Sequence, residues 1–259
     1  MIKTIYILWF QGFDKAPEIV KMCVNSWKYY NPDWDIVLID NNNLKNYVNL
    51  DNYVINLNKT ALSDVVRILL LKLHGGLWVD STTFCNKPLN DWLPKYINEG
   101  FFAFDKPGPN RLISSWFLYS DKNNYIINKW SNKTLEYCTI HDKPHTYFWF
   151  HYLFGDLYKS DIMFKKMWDN VPKLSANGNG PHYLQEQGMF KPASIQNKLD
   201  INNKITPLYK LTYKCKFLQY NEELNLYYLY STIKKKVEFY AFFNFKLPVL
   251  SPSISQDLS

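Results

Sequence analysis

The segment at residues 61–84, ALSDVVRILLLKLHGGLWVDSTTF, constrains the fold more than any other part of the sequence. A small polar start leads into a long apolar run, and two glycines interrupt that run before a short apolar stretch that contains an aspartate. Because Ser63 is a residue type that caps helices, we predict a helix over residues 63–74 that the two glycines terminate. Residues 77–84 then predict a strand.

Strand-like and helix-like segments also precede this one. Residues 4–10, TIYILWF, are β-branched and aromatic and too short for a helix, so they predict a buried strand. Residues 16–30 carry apolar side chains at helical spacing, and Pro17 suits a first helical turn. Residues 35–40, DIVLID, predict a second strand. Strands that alternate with helices in this way predict an α/β fold with parallel strands covered by helices.

This order brings three charged side chains to one edge of the sheet. A predicted helix of roughly 18 Å and a strand of roughly 20 Å return the chain to its starting edge. Asp64 and Arg67, expected in the first helical turn, therefore lie near Asp80, at the edge where open α/β sheets bind ligands. Each residue alone also has an ordinary explanation as a dipole-stabilising acid, a surface ion pair or a turn cap. Their convergence favours a site.

Composition limits the partners and the compartment. The 259 residues predict one domain over residues 1–250 and a flexible tail over 251–259. A formal net charge of +7 favours anionic partners, such as nucleotides or diphosphates, without choosing among them. The four cysteines form no CxxC pair, and no signal peptide or long apolar run is found, so we expect reduced thiols, no membrane span and a cytoplasmic protein. The aromatic segment 224–245 either packs on the domain or contacts a membrane surface.

Residues 61–84 resemble the core motif of the glycosyltransferases of the capsular polysaccharide synthesis family, which are relatives of the DXD-containing sugar transferases. The pattern of that family is a Ser-Asp-x-x-Arg helix, a Gly-Gly turn and an apolar strand that ends in Asp, and it stands here as SDVVR, GG and LWVD. Further blocks that look similar are ILWFQG, APEIVKMCVNSWKYYNPDWDIVLID, ISSWFLYS, YFWFHYLF and PLYKLTYK. The resemblance covers roughly residues 5–214.

The resemblance implies a GT-A fold, which is a Rossmann-like nucleotide-sugar-binding fold with a mostly parallel central sheet and flanking helices. It also implies a nucleotide-sugar donor, expected to be a UDP-sugar, a polysaccharide or other glycan acceptor, and retention of the anomeric configuration. We expect no nucleic-acid partner. By the same resemblance, Trp9 stacks on the donor base, and Gln11 and Asp80 contact the nucleotide. Asp64 and Arg67 hold the donor sugar and form the catalytic set together with Asp80.

The resemblance further implies a divalent cation, Mn²⁺ or Mg²⁺, with Asp80 and Thr82 as its protein ligands. A full DXD motif would have a second acid at position 82, and hard cations prefer carboxylates to hydroxyls. Because residues two apart in a strand share a face, Thr82 is expected to reach the ion or its waters. Lys210 and Lys214 are the candidate diphosphate contacts. Another residue then coordinates, or the metal is weak, or the lysines partly replace it.

The acceptor side is marked by weaker candidates, namely Ser115, His151 and His182. A lone histidine among aromatic residues is more often a hydrogen-bonded core residue, and the glycine-rich residues 175–184 are expected to form a mobile loop beside the site. Two other classes stay open. One is a metal-dependent nucleotidyl or phosphoryl transferase, which the missing Walker-type lysine disfavours. The other is a non-catalytic glycan-, nucleotide- or nucleic-acid-binding domain with a decayed metal site.

Overall fold

The computed structural model describes residues 1–50, 57–214 and 220–244. Its strands are β1 (Thr4–Leu8), β2 (Asp35–Ile39), β3 (Gly76–Asp80), β4 (Thr83–Cys85), β5 (Phe101–Asp105), β6 (Ile113–Ser120) and β7 (Leu208–Lys210). Its helices are α1 (Glu18–Tyr30), α2 (Lys59–His74), α3 (Tyr125–Ile140), α4 (Trp149–Ser160), α5 (Ile162–Asn170), α6 (Tyr183–Gln187), α7 (Ile195–Asn202) and α8 (Asn225–Asn244).

The central sheet has the strand order β2-β1-β3-β6-β5. β1 pairs in parallel with both β2 and β3, whereas β6 runs antiparallel to β3 and β5. In this sheet β6 is thus reversed, and the other strands share one direction. β4 and β7 form a separate antiparallel pair. The predicted α/β class with a mostly parallel sheet and covering helices is therefore confirmed.

The helix before the two glycines begins one turn earlier than the sequence predicted. α2 starts at Lys59, and the side chain of Asn58 caps it by accepting a hydrogen bond from Ala61 N at 3.0 Å. Ser63 lies inside the helix and donates to Thr60 O at 2.7 Å. Its predicted capping role is wrong because Asn58, also a strong capping residue, satisfies the first-turn N–H groups. Gly75, with φ at +69°, ends the helix as predicted.

The single strand predicted over residues 77–84 is in fact two strands in two sheets. β3 ends at Asp80, residues 81–82 form a turn, and β4 pairs with β7 instead of continuing the central sheet. Trp78 packs in the core around the central sheet, whereas Phe84 packs in a second core formed with α1, α7 and α8. Because the residues before and after the turn are both apolar, the hydrophobic pattern of the sequence did not reveal that the strand ends there.

Helix α1 lies between the two cores. Val24 and Trp27 face the central-sheet core, while Ile19, Val20 and Cys23 face the second core. Trp27 Nε1 also donates to Thr83 O at 2.7 Å, which fixes the start of β4 against α1. The two sheets are therefore held at a defined separation, with the turn at residues 81–82 between them.

The C-terminal part of the described chain packs on the second core. Leu226, Leu229 and Ile233 of α8 are fully buried there, which agrees with the packing alternative for the aromatic segment. Among the helices that the structure describes, none has the length and apolar character that a membrane crossing requires. Cys23 and Cys85 are buried free thiols, whereas Cys215 and the predicted tail over 251–259 lie outside the described residues.

Candidate active site

A cleft of about 500 Å³ opens where β1 and β3 end. Leu8 and Asp80, the last residues of these strands, are partners across the parallel ladder. The first half of β6 reaches the same edge because that strand runs in the opposite direction. Every residue that the sequence predicted for the site lines this cleft: Trp9, Gln11, Asp64, Arg67, Asp80, Thr82, Ser115, His151, His182, Lys210 and Lys214.

Arg67 joins the two aspartates. Its Nη1 lies 3.2 Å from Asp64 Oδ1, and its Nη2 lies 3.2 Å from Asp80 Oδ1. Nη1 also donates to Ser115 O at 2.9 Å, and the guanidinium lies 5.1 Å from the centre of the Trp78 ring. Asp64 stands in the second turn of α2 and Arg67 in the third, both later than predicted, and both are buried. Because these ion pairs are buried away from water and are contacted from several sides, their side chains have little conformational freedom.

Lys210 lies on the other side of Asp80. Its Nζ is 3.3 Å from Asp80 Oδ2 and donates to Thr82 Oγ1 at 2.6 Å. Asp80 Oδ1 also accepts a hydrogen bond from Trp78 Nε1 at 3.0 Å, so both carboxylate oxygens have partners. Thr82 stands in the turn after β3 and not on the strand face where the sequence placed it. Its hydroxyl nevertheless reaches the same cation as Asp80.

The two carboxyls have opposite pKa shifts. Burial raises the pKa of Asp64 to about 6, because the charge of Arg67 and the hydrogen bond from Trp149 Nε1, at 3.1 Å, offset only part of that effect. Burial acts in the same direction on Asp80, but the charges of Arg67 and Lys210 outweigh it and hold the pKa of Asp80 below its ordinary value. Asp80 is thus firmly ionised at neutral pH, and Asp64 loses its charge in mild acid.

The two histidines of the cleft are neutral at physiological pH. Burial, with the nearby charges of Arg67 and Arg111, lowers the pKa of His151 to about 3. Burial, with Lys210 and Arg111, lowers the pKa of His182 to about 4. The structure also anchors the predicted mobile loop near His182, since buried Ala176 donates its N–H to Asp105 O at 2.9 Å. Neutral imidazoles of this kind can exchange hydrogen bonds with hydroxyl groups.

Trp9 occupies the turn that follows β1 and is partly exposed in the cleft. The ring of Tyr213 meets it edge-on, with centroids 5.1 Å apart and planes at 88°. Gln11 lies two residues further along the same turn, and Lys214, the residue after Tyr213, is an exposed residue of the lining. An aromatic ring with cations nearby is a suitable surface for a nucleotide base and its phosphates.

Sequence reasoning missed two cations of the cleft. The guanidinium of Arg111 lies 4.0 Å from the centre of the Phe148 ring and donates to Pro107 O at 3.2 Å. Arg111 stands in a loop without periodicity, so no local pattern marked it. Lys59, the first residue of α2, was missed because the helix start was placed at Ser63. Asn58 was the available signal, as a second capping residue upstream.

The charged lining of the cleft is predominantly positive. Among the residues that the structure describes, five cations line it, Lys59, Arg67, Arg111, Lys210 and Lys214, against two acids, Asp64 and Asp80. A concave site with this excess of positive charge attracts anionic ligands. The arrangement therefore combines a ring platform, a cationic wall and a buried pair of carboxylates at one sheet edge.

Residues 1–231 match the family described as capsular polysaccharide synthesis protein. The chain belongs to this family. This match confirms the resemblance found in the sequence, and the matched residues include all those that line the cleft.

Two curated relatives match parts of the chain. The O-glycosyltransferase braB of Annulohypoxylon truncatum is 24% identical in an alignment 151 residues long that covers 49% of this chain and 36% of that protein. The uncharacterized glycosyltransferase L373 of Acanthamoeba polyphaga mimivirus is 35% identical in an alignment 108 residues long that covers 38% of this chain and 40% of that protein. The matched regions thus span well under half the length of either relative.

Solved structures with a similar chain course include two glycosyltransferases. PaToxG glycosyltransferase has a TM-score of 0.42 at 16% identity, with 61% of this chain and 68% of that chain covered. The glycosyltransferase GlyE of Streptococcus pneumoniae TIGR4 has a TM-score of 0.48 at 12% identity, with 96% of this chain and 66% of that chain covered.

Proposed function

We propose that this protein is a glycosyltransferase that moves a sugar from a nucleotide-sugar donor, expected to be a UDP-sugar, to a glycan or polysaccharide acceptor. The observation that carries the proposal is the placement of Arg67 between Asp64 and Asp80 in a cationic cleft at the strand ends. The chain's family and its glycosyltransferase relatives support the same reaction class. Following the family resemblance, we extend the proposal to retention of the anomeric configuration.

The donor nucleotide is assigned to the wall that carries Trp9. Stacking on the indole would bind the base without requiring an exact base identity. Gln11 and the exposed edge of Asp80, whose side chain is 27% exposed, lie beside it and can hydrogen-bond to the nucleoside. Lys210 and Lys214 then stand where the negatively charged diphosphate needs compensation.

The donor sugar is assigned to Asp64 and Arg67. A carboxylate has room for about four hydrogen bonds, so Asp64 can accept from a sugar hydroxyl while it holds Arg67 and Trp149. Positive charge develops on the sugar ring as the bond to the diphosphate breaks, and nearby carboxylates stabilise it. Since the ion pairs fix these groups in advance, little reorganisation accompanies the reaction.

The proton of the acceptor hydroxyl needs a base. In the retaining mechanism proposed here, a phosphate oxygen of the departing diphosphate takes that proton as the new glycosidic bond forms. Ser115, His151 and His182 line the cleft and are assigned to the acceptor. Because both imidazoles are neutral, they are assigned to hydrogen bonds with acceptor hydroxyls and not to charge stabilisation.

The divalent cation implied by the family resemblance finds a poor set of ligands. Even a loosely held Mg²⁺ or Mn²⁺ needs one or two carboxylates together with the substrate phosphates. Both oxygens of Asp80 already have partners, and the Thr82 hydroxyl already accepts from Lys210. Within the described residues, no group of three or more His, Cys, Asp or Glu side chains is placed to hold a metal ion. The residues present do not fit this ion, and no step is assigned to it.

Ligand-induced thermal stabilisation combined with product analysis tests the proposed function. The purified chain is heated with UDP-sugars, GDP-sugars and the plain nucleotides, and donor turnover is followed by mass spectrometry. We expect at least one sugar nucleotide to raise the melting temperature and to release its sugar to water or to an oligosaccharide. Transfer of a phosphoryl or nucleotidyl group would support the rival transferase class. Binding without any turnover would support a binding domain.

A further inference from the structure

We propose that the ammonium of Lys210 takes the place of the divalent cation in this cleft, so that glycosyl transfer proceeds without Mn²⁺ or Mg²⁺. The inference rests on the proposed function, since it names the group that stabilises the departing diphosphate. It replaces the expectation of a metal cofactor with a residue of the chain itself.

The position of the ammonium carries the inference. Lys210 Nζ bridges Asp80 Oδ2 at 3.3 Å and Thr82 Oγ1 at 2.6 Å. These are the two side chains on which the metal was expected from the DXD-like motif. A cation thus already lies between them, and it comes from β7, which is far away in the sequence.

Backbone hydrogen bonds fix the position of Lys210 and of the residue that follows it. Lys210 pairs with Thr83 across the β4–β7 ladder and donates its N–H to Pro181 O at 2.8 Å. The next residue, Leu211, donates its N–H to Thr82 O at 2.8 Å, which ties β7 to the turn after β3. The side chain of Lys210 is 17% exposed, whereas Lys214 is an exposed residue. Lys210 is therefore a structurally fixed residue of the site.

Because Thr82 is neutral, the charges of the site are consistent with an ammonium in place of a divalent cation. A second acid there would give two neighbouring carboxylates that need a doubly charged ion. With Thr82, one carboxylate, Asp80, faces two cations, Arg67 and Lys210. A further divalent ion at the same place would be repelled by both of these cations. The hydroxyl at position 82 and the ammonium of Lys210 are therefore electrostatically compatible.

The chemistry balances without a metal. The bond between the anomeric carbon and the diphosphate oxygen breaks, and its electron pair stays on the oxygen. An ammonium has three N–H donors, of which Asp80 and Thr82 engage two, so the third can donate to the departing diphosphate. The acceptor oxygen bonds to the anomeric carbon, and its proton passes to a phosphate oxygen. A fixed cation aimed at developing negative charge is an effective form of catalysis.

The decisive comparison is activity in EDTA against activity with Mn²⁺, together with the affinity for UDP by calorimetry. We expect the wild-type protein to turn over its UDP-sugar equally well in both conditions. Lys210→Ala in EDTA should lose about 100-fold in turnover, as for other preorganised transition-state contacts. It should also bind UDP more weakly, and Lys210→Arg should recover part of this loss because its charge is retained.

The matched control is Lys165→Ala. Lys165 also contacts a carboxylate and a hydroxyl, Asp169 Oδ2 at 2.8 Å and Tyr158 Oη at 2.7 Å, but it lies on the exposed side of α5 outside the cleft. Its removal takes away the same charge without touching the site. We therefore expect wild-type turnover and UDP affinity from this variant in both conditions.

A double variant tests whether metal dependence can be introduced into the site. Lys210→Ala combined with Thr82→Asp removes the built-in cation and supplies the missing acid, so its UDP affinity and turnover should now rise on addition of Mn²⁺. Wild-type activity that disappears in EDTA and returns with Mn²⁺ would overturn the inference and leave the proposed function intact. Full activity of Lys210→Ala in EDTA would also overturn it. If no sugar nucleotide binds or reacts in either condition, the proposed function fails with it.

Discussion

The buried part of the cleft and its exposed rim hold their side chains in different ways. In the buried part, negative and positive groups alternate along Asp64, Arg67, Asp80 and Lys210, with contacts of 3.2 or 3.3 Å between neighbours. Every one of these groups is fixed by a partner on a different element of the fold or one turn away on α2. Charges removed from water in this way interact strongly and move little.

The exposed rim has the opposite character. Tyr147 is 69% exposed and Tyr213 is 42% exposed, and Lys214 is exposed beside them. Side chains in water keep much of their freedom, and their charges are screened by solvent and salt. Substitutions should therefore have large effects in the buried part and small effects at the rim, even though both line the same cleft.

We expect the largest effect on stability from Arg67→Ala. The variant removes the shared partner of Asp64 and Asp80, and breaking a buried ion pair by removing one member typically costs about 3–5 kcal/mol. Urea unfolding followed by tryptophan fluorescence measures the free energy of unfolding. Lys165→Ala, which removes an exposed pair, should cost less than about 1 kcal/mol. Equal losses in the two variants would contradict the expectation that a buried ion pair contributes more to stability than an exposed one.

Asp64→Asn should mainly reduce turnover. The substitution keeps the shape of the side chain but removes the charge that is assigned to the donor sugar, so we expect a loss of about 100-fold. Affinity for UDP alone should change little, because Asp64 is assigned to the sugar and not to the nucleotide. Steady-state kinetics and UDP titrations by calorimetry separate these effects. Equal losses of UDP affinity and turnover would contradict this division of the site.

The pH profile sharpens the same assignment. Burial raises the pKa of Asp64 to about 6, so the wild-type rate should fall on acidification through about pH 6, and this limb should be missing in Asp64→Asn. The pKa values of His151 and His182, near 3 and 4, place their titration below this range. A wild-type limb that persists in Asp64→Asn would assign it to another group.

The same pKa shift acts on stability with a definite sign. A carboxyl whose pKa is higher in the folded than in the unfolded state binds protons more tightly when folded, so its contribution weakens as pH rises from about 4 to about 6. Melting temperatures of wild type and Asp64→Asn across this range measure the contribution. We expect the difference between the two proteins to shift toward the variant as pH rises. A constant difference would mean that the pKa of Asp64 is not raised.

Trp9→Ala should have an intermediate effect. Removing one base-stacking aromatic ring costs roughly 1–3 kcal/mol of binding free energy, and Trp9→Phe should recover much of it. Calorimetric titration with UDP measures both variants. Because Trp9 is partly exposed, the fold should tolerate the change. Unchanged UDP affinity in a folded Trp9→Ala protein would place the base elsewhere in the cleft.

The smallest effect is expected for Lys214→Ala at the rim. An exposed charge contributes about 0.2–1 kcal/mol, and its contribution should vanish at high salt. UDP affinity measured at low and high ionic strength tests this, with Lys210→Ala as the buried counterpart. A loss for Lys214→Ala as large as that for Lys210→Ala at both salt concentrations would remove the distinction between the two lysines.

The α/β order and the edge at which the site forms could be predicted from the sequence alone. Asp64, Arg67 and Asp80 could be placed together because the helix and strand that connect them have comparable lengths and return the chain to one side. These are local relations within one segment, and local periodicity records them well. The predicted proximity does not depend on where the helix starts. The helix starts one turn earlier than predicted, but Asp64 and Arg67 still lie on the same side of it.

The pairing of the charges, in contrast, depends on contacts between distant parts of the chain. Lys210 donates to a residue 128 positions away, and Arg67 donates to Ser115 across 48 positions. The break after Asp80 was equally invisible, since the apolar residues on its two sides belong to different cores. Such contacts depend on the packing of the whole chain, and no periodicity in a single segment records them. The sequence named Lys210 as a candidate diphosphate contact, but its contacts with Asp80 and Thr82 exist only because the fold brings β7 against β4.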